Sequence, residues 1–213
     1  MTTCDRQSGF TLLEVIIVLG VLGIVLGTAV PLAGAVVQAD RRQEAVGELA
    51  ELGKALDAYW FDRAAFPGSL TANDFFGVHL QPGPRNTAVL DAFANQEYRY
   101  SVAGGVATVY SLGENGVDDG ANNEELVVRV HAAVPGTRRT WMRLRIAVEL
   151  LAEHIESGGS VAGDWPTVRA SIGLGASYDA DGWGTTLQWT AATHTLASAG
   201  PDQVFGTADD ITI

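Results

Sequence analysis

From residue 10 to residue 37 the chain is apolar except for one formally charged side chain, Glu14, close to the start of the run. A segment of that length exceeds the ~20 residues an α-helix needs to cross a bilayer. A charge among hydrocarbon costs roughly 2.5 kcal/mol or more on insertion scales, so an intramembrane acid calls for a function. Beyond the run, Ala45, Leu49, Leu52, Leu56 and Tyr59 recur at helical spacing. They predict that the membrane helix continues into a soluble region until Phe66-Pro67-Gly68 stops it. A second stripe, Trp141, Leu144, Val148, Leu151 and Ile155, ends at Ser157-Gly158-Gly159 and predicts another helix with one core-facing side.

Between and after these helices the period changes to that of strands. Residues 98–102 and 106–110, separated by Ala103-Gly104-Gly105, read as an antiparallel hairpin, and 126–130 as a further strand. Residues 187–190 and 195–197 repeat the hairpin behind the second helix. The order helix, loop, hairpin, acidic loop, strand thus occurs twice. Ser111-Leu112-Gly113-Glu114-Asn115 pairs with Ser198-Ala199-Gly200-Pro201-Asp202, and Glu124-Glu125 before Leu126 pairs with Asp209-Asp210 before Ile211. The expectation is an α+β fold: a long N-terminal transmembrane helix followed by two small units, each a helix packed on a small antiparallel sheet. The expected divisions are a leader at 1–9, a membrane segment at 10–37, a first unit at 38–131, a linker at 132–139 around Pro135-Gly136, and a second unit at 140–213.

Charge and cysteine usage narrow the setting. The formal net charge is −12, and Asp5 and Arg6 cancel within the first nine residues, so all of it falls on the remainder. Nucleic acid is excluded as a partner, since phosphate backbones are bound by clustered Lys and Arg. Clusters of Asp and Asn point instead to divalent cations. The only cysteine is Cys4, so the part after residue 9 carries no thiol into an oxidising compartment.

A polar start, Gly9, then Phe10 and Glu14 four residues beyond it together resemble the N-terminal signature of type IV prepilins and of type II secretion major pseudopilins. The resemblance implies that prepilin peptidase, which is also an N-methyltransferase, cuts after Gly9 and methylates the new N-terminus at Phe10. It implies that Glu14 neutralises the amine of a neighbouring subunit's first residue inside a filament, setting the stagger between subunits. The physics agrees, because an ammonium and a carboxylate that are each costly in hydrocarbon become tolerable as a pair. Pro31 stands where many pilins carry a helix breaker, whereas the leader, with Arg6 as its single basic residue, is less basic than is usual and orients the helix only weakly by the positive-inside rule. Two other readings use the same residues: a cleaved secretory signal with Ala33-Gly34-Ala35 as cleavage site, and a plain signal anchor. The first needs an h-region far longer than the usual 7–15 residues, and neither accounts for Gly9 and Glu14 together.

The C-terminal stretch Asp181-Gly182-Trp183-Gly184, then residues 198–202 and Asp209-Asp210-Ile211, resembles the calcium-binding region of the major pseudopilins. Carried over, the ligands are Ser198, Asp202, Asp209 and Asp210, with loop carbonyls completing the 6–8 oxygens that calcium takes. The first loop offers Ser111, Asn115, Asp118, Asp119, Glu124 and Glu125 for a second calcium, in a loop two residues longer. The bland alternative for both is a solvated acidic loop. An EF-hand starting at Asp179 fails, with Trp183 at its fifth position and Thr190 where a bidentate Glu is required.

No catalytic signature accompanies these features. His79, His131, His154 and His194 lack the i, i+4 pairing of a helical zinc site, and no nucleophile elbow, phosphate-binding glycine loop or dinucleotide fingerprint is present. The chain reads as a non-enzyme: a structural filament subunit in the bacterial inner membrane, single-pass, with its globular part in the periplasm or outside the cell. The implied partners are the peptidase, sister pseudopilins or pilins, the inner-membrane assembly platform and the lipid bilayer. The alternatives are a minor or tip subunit acting as a binding or adhesion module, and an anchored calcium-binding exported protein that does not assemble.

Overall fold

The computed structural model describes residues 11–81, 89–93, 96–118, 120 and 126–213, without the side chains of 28–33. The chain divides into two compact units, Met1–Glu44 and Ala45–Ile213.

Helix α1, Leu12–Arg63, has 52 residues and so a length of about 78 Å at 1.5 Å per residue. Its backbone is helical through position 31. In the first unit every side chain from 11 to 27 is exposed, including Leu, Val and Ile residues on all sides of the helix. Among the described residues no helix is long and apolar enough to cross a membrane. Within the expected segment 10–37 the described side chains are those of 11–27 and 34–37, and the continuous stretch among them is shorter than the ~20 residues a span requires; residue 10 and the side chains of 28–33 lie outside the described residues.

In the second unit the predicted stripe on α1 is the core: Ala45, Leu49, Leu52, Leu56 and Tyr59 are all buried. The helix ends earlier than Phe66-Pro67-Gly68. Ala64 takes a left-handed conformation (φ 56°) and its N–H bonds the Trp60 carbonyl at 2.7 Å, closing the last turn. The buried side packs with Leu70, Phe75, Tyr98, Ala107 and Val109. These last two lie on the central strand of a sheet built from β1 (Arg99–Ala103), β2 (Val106–Tyr110) and β3 (Val127–His131), antiparallel in the order β1-β2-β3. Gly104 and Gly105 both have positive φ (55° and 74°), the requirement of a tight two-residue hairpin turn.

Helix α2, Ala133–Glu156, begins where a linker was expected. Residues 133–139 form its first turns, because a proline close to a helix start gives up only an N–H that has no intrahelical partner there. Gly136 matters for a different reason: a Cβ there would overlap the Trp183 indole, and one on Gly182 would overlap the Gly136 backbone. Helix α2 carries Leu144, Ala147 and Leu151 into a second core with Trp165, Val168, Leu187 and Leu196. The predicted stripe is correct at its centre only; Trp141 is 46% exposed and Ile155 37%. Trp165 and Val168 come from α3, Trp165–Ser171, a short helix capped by Asp164, whose carboxylate accepts from the Thr167 N–H and hydroxyl. The second sheet comprises β4 (Gln188–Thr190), β5 (Thr195–Ser198) and β6 (Ile211–Thr212), antiparallel in the order β4-β5-β6.

Candidate functional site

At the head of α1, Thr11-Leu12-Leu13-Glu14 forms a capping box. The Thr11 hydroxyl accepts from the Glu14 N–H at 3.3 Å, and the Glu14 carboxylate accepts from the Thr11 N–H at 3.4 Å. Two of the donors that a helix start leaves unpaired are satisfied reciprocally. Glu14 is thereby fixed on the first turn, exposed, below an apolar cylinder. Gly9 and Phe10 lie outside the described residues.

The two sheets end in the same polar construction. After β2, the buried Ser111 hydroxyl donates to the Asp91 carboxylate at 2.8 Å and accepts from the Gly113 N–H at 3.0 Å, while Asp91 also takes the N–H groups of Leu112 and Phe93. At the end of β5, the buried Ser198 hydroxyl donates to Asp181 at 2.7 Å and accepts from the Gly200 N–H at 3.1 Å, while Asp181 takes the N–H groups of Trp183 and Thr185. Asp91 and Asp181 are 3% and 1% exposed, so each is a carboxylate placed inside the protein and satisfied there. Arg143 of α2 adds to the second construction by donating to the carbonyls of Ala180 and Asp181 at 2.5 and 3.1 Å. Burial pulls the Arg143 pKa below the ordinary arginine value. Asp91 went unnoticed in the sequence; the signal was available, since Asp91-Ala92-Phe93 and Asp181-Gly182-Trp183 precede equivalent serines. The hydroxyls of Ser111 and Ser198, both among the expected calcium ligands, face these aspartates.

Beyond the serines come the acidic loops. In the second, the Asp209 carboxylate accepts from the Asp202 N–H at 3.1 Å and from the Thr207 hydroxyl at 2.6 Å, and Asp210 accepts from the Gly206 N–H at 2.8 Å. The Thr207 hydrogen bond, foremost, holds the Asp209 carboxyl below the usual carboxylate range. Gly200 (φ 69°) permits the closure, since a Cβ there would overlap the Asp209 backbone. Asp202, Asp209 and Asp210 are therefore drawn into one loop. Their donor set is all oxygen and fits a hard cation in kind. Among the described residues no group of three or more His, Cys, Asp or Glu is arranged to hold a metal ion, so loop carbonyls would have to supply much of the coordination. In the first loop Asn115 accepts from the Val117 N–H at 2.9 Å, and Asp118 is bound to Arg99 and Tyr110. Asp119, Glu124 and Glu125 lie outside the described residues.

The histidines are dispersed. His79 meets Asp62 and the edge of Tyr59, His154 bonds the Ser160 carbonyl, His194 stacks on Trp189, and His131 is exposed.

Comparison with known proteins adds independent findings. The prokaryotic N-terminal methylation motif matches residues 4–30. The chain is similar to the type II secretion system core protein G of Vibrio cholerae serotype O1, with 34% identity over 132 residues that cover 56% of this chain and 89% of the relative. The protein of the same name from Pseudomonas aeruginosa is 29% identical over 131 residues, covering 56% and 92%. For that from Pectobacterium carotovorum the figures are 39% over 84 residues, covering 38% of this chain and 53% of the relative. No solved structure matches the chain.

Proposed function

Because the chain belongs to the family of the type II secretion system core protein G and is a pseudopilin subunit of that system, we propose that prepilin peptidase cuts it after Gly9 and methylates Phe10, that 10–37 spans the inner membrane, and that Glu14 then pairs with the Phe10 amine of a neighbouring subunit. The observation that carries this reading is the helix start. A lone carboxylate stands on the first turn below a surface of exposed Leu, Val and Ile too large for a soluble monomer to leave uncovered. Lipid covers it before assembly and sister helices cover it afterwards. Sister pseudopilins, the peptidase and the assembly platform are the partners that follow, and the globular residues face the periplasm.

The test is the intact mass and N-terminal sequence of the protein from membranes of cells with and without prepilin peptidase. Loss of residues 1–9 with a methylated Phe10, only when the peptidase is present, is the expected result. Cleavage after Ala35, or none, overturns it.

We read the soluble residues as two copies of one unit, 38–131 and 140–213; the repeated Asp, Ser and Gly hydrogen bonds behind β2 and β5 support this. Its larger size favours a specialised position in the filament over dense packing along it: the aligned part takes up 89% of the Vibrio relative but only 56% of this chain. The second loop is the calcium site of this reading, held by Asp202, Asp209 and Asp210 with loop carbonyls. The ion would draw together carboxylates that otherwise repel across a loop with little apolar area to bury. Chelation with EDTA is expected to lower Tm by several degrees, since a ligand that binds only the folded state stabilises it by mass action. An unchanged Tm counts against the site.

A further inference from the structure

We propose that the outward face of α2 pairs antiparallel with the same face of a second copy of this chain, Arg145 of each copy meeting Glu149 of the other. The contact is independent of the calcium reading and of processing at Gly9; only its setting in a membrane rests on the proposed span at 10–37.

Helix α2 divides by charge. Residues 133–148 contain Arg138, Arg139, Arg143 and Arg145 and no acid, whereas 149–156 contain Glu149, Glu153 and Glu156 and no Lys or Arg. Within one helix that order is unfavourable. Glu153 and Glu156 stand in the last turn, where the helix dipole disfavours carboxylates, and Arg145 precedes Glu149 by four residues, the poorer direction for such a pair. Three of the arginines are engaged by the chain itself. Arg138 holds Asp57 at 2.6 Å and covers the Phe61 ring, Arg139 donates to the Trp60 carbonyl, and the buried Arg143 donates to the carbonyls of Ala180 and Asp181. Arg145 and the three glutamates are exposed, and their side chains make no hydrogen bond or ion pair among the described residues. At 3.6 residues per turn, Val134, Trp141, Glu149 and Ala152 lie within about 40° of Arg145 round the helix. All are exposed, Val134 by 62% and Trp141 by 46%, with Met142 beside them at 41%. Tryptophan, methionine and arginine are the residue types that protein interfaces gather.

This face is complementary to itself when turned end for end. With a two-fold axis beside residue 147, Arg145 lies opposite Glu149 of the second copy and Glu149 opposite its Arg145, so one ion pair is made twice. Trp141 then falls against Ala152 of the second copy, a side chain small enough to leave room for the indole. A parallel pair would instead set Arg145 against Arg145 and Glu149 against Glu149, so charge selects the direction. The glutamates also disfavour an anionic lipid surface, which an arginine beside a tryptophan would otherwise suit. A contact of about four helical turns buries less than a standard interface, so the pair is weak between dilute chains and gains from the high local concentration of a shared membrane. Two-fold pairing closes on itself. It joins two chains and no more, unlike the head-to-tail contacts of a filament.

Disulfide trapping between two differently tagged full chains, co-expressed with Cys4→Ser in both and mildly oxidised in membranes, tests the pairing. One chain carries Met142→Cys and the other Ala152→Cys, positions that the two-fold axis sets opposite each other. A trapped dimer is expected from this combination and not from Met142→Cys in both chains. Arg145→Glu in both chains, or Glu149→Arg in both, should lower the trapped fraction roughly tenfold. Arg145→Glu in one with Glu149→Arg in the other should restore it, because each new charge then meets its opposite. That recovery separates a contact between copies from damage within one chain, and from association through α1, which the charges at 145 and 149 do not touch. No trapping between 142 and 152 overturns the proposal. So do equal trapping between 142 and 142, indifference to both charge variants, and failure of the mixed pair to recover. Absence of the chain from membranes would instead sink the proposed span, and the same trapping on the concentrated purified chain then judges the pairing.

Discussion

Glu14→Gln is expected to abolish incorporation into filaments as completely as Glu14→Ala, by roughly a hundredfold or more, while the full chain keeps its thermal transition within a degree or two. The capping box makes the glutamine variant the decisive one. Its side-chain carbonyl still accepts from the Thr11 N–H, so the helix start survives; only the charge is lost. If Glu14 served merely to begin α1, Gln would restore what Ala removes, a cap commonly being worth about 1 kcal/mol. If it neutralises an ammonium in an apolar environment, Gln fails, because removing one member of such a pair leaves a buried charge at a cost of about 3–5 kcal/mol. Cross-linking of subunits in membranes, scored against wild type at equal expression, reads the difference. Wild-type assembly by Glu14→Gln would assign the residue to helix initiation and remove the main support for charge pairing.

The long helix and the first core were legible because their signals are local. A stripe at Ala45, Leu49, Leu52, Leu56 and Tyr59 has one physical interpretation, and all five are buried. The hairpins were legible from Gly104-Gly105 and from alternation in β1 and β2. The second helix was found but its face was misplaced. Hydropathy favours Trp141 and Ile155, whereas the core takes Ala147 and leaves both larger residues on the surface. Small residues at a contact carry little hydropathic weight, and only the partner, here Trp165 from a helix too short to announce itself, makes them the right choice. Pro135-Gly136 misled for a related reason. The pair signals a break when read alone, but a proline in the first turn is harmless and the glycine serves a contact with Trp183 some fifty residues on.

The site was legible in its residue types and not in its pairings. Ser198 and Ser111 stand among the expected metal ligands because a hydroxyl oxygen beside acids is a ligand type, and residue type gives no hint of their hydrogen-bond partners. Their partners are buried aspartates at sequence separations of 17 and 20, a distance at which no periodicity operates. Likewise Arg99 was an ordinary strand residue until the register of β1 on β2 set it beside Tyr110 and Asp118. What composition gives is acidity; which acids are already neutralised depends on the fold.

Those buried aspartates give the second large effect. Asp181→Ala is expected to destabilise the second sheet and its core by about 3–5 kcal/mol, measured by chemical denaturation of the full chain. The loss has three parts. The N–H groups of Trp183 and Thr185 lose their acceptor, the Ser198 hydroxyl loses the group to which it donates, and Arg143 loses a nearby negative charge while its guanidinium remains buried against the 180 and 181 carbonyls. Asp181→Asn keeps the shape and one acceptor, so about half the effect is expected. Asp91→Ala removes the same kind of acceptor in the first sheet, yet no buried arginine stands behind it in the described structure, so a smaller loss of about 2–4 kcal/mol is expected. The order Asp181 above Asp91 is the sharper claim, since it isolates Arg143; Arg143→Met should bring the two aspartate variants level. A loss below about 1 kcal/mol in Asp181→Ala would mean that water replaces the carboxylate without penalty. The hydrogen bonds behind β5 would then follow from the fold and would not be what holds the loop against it.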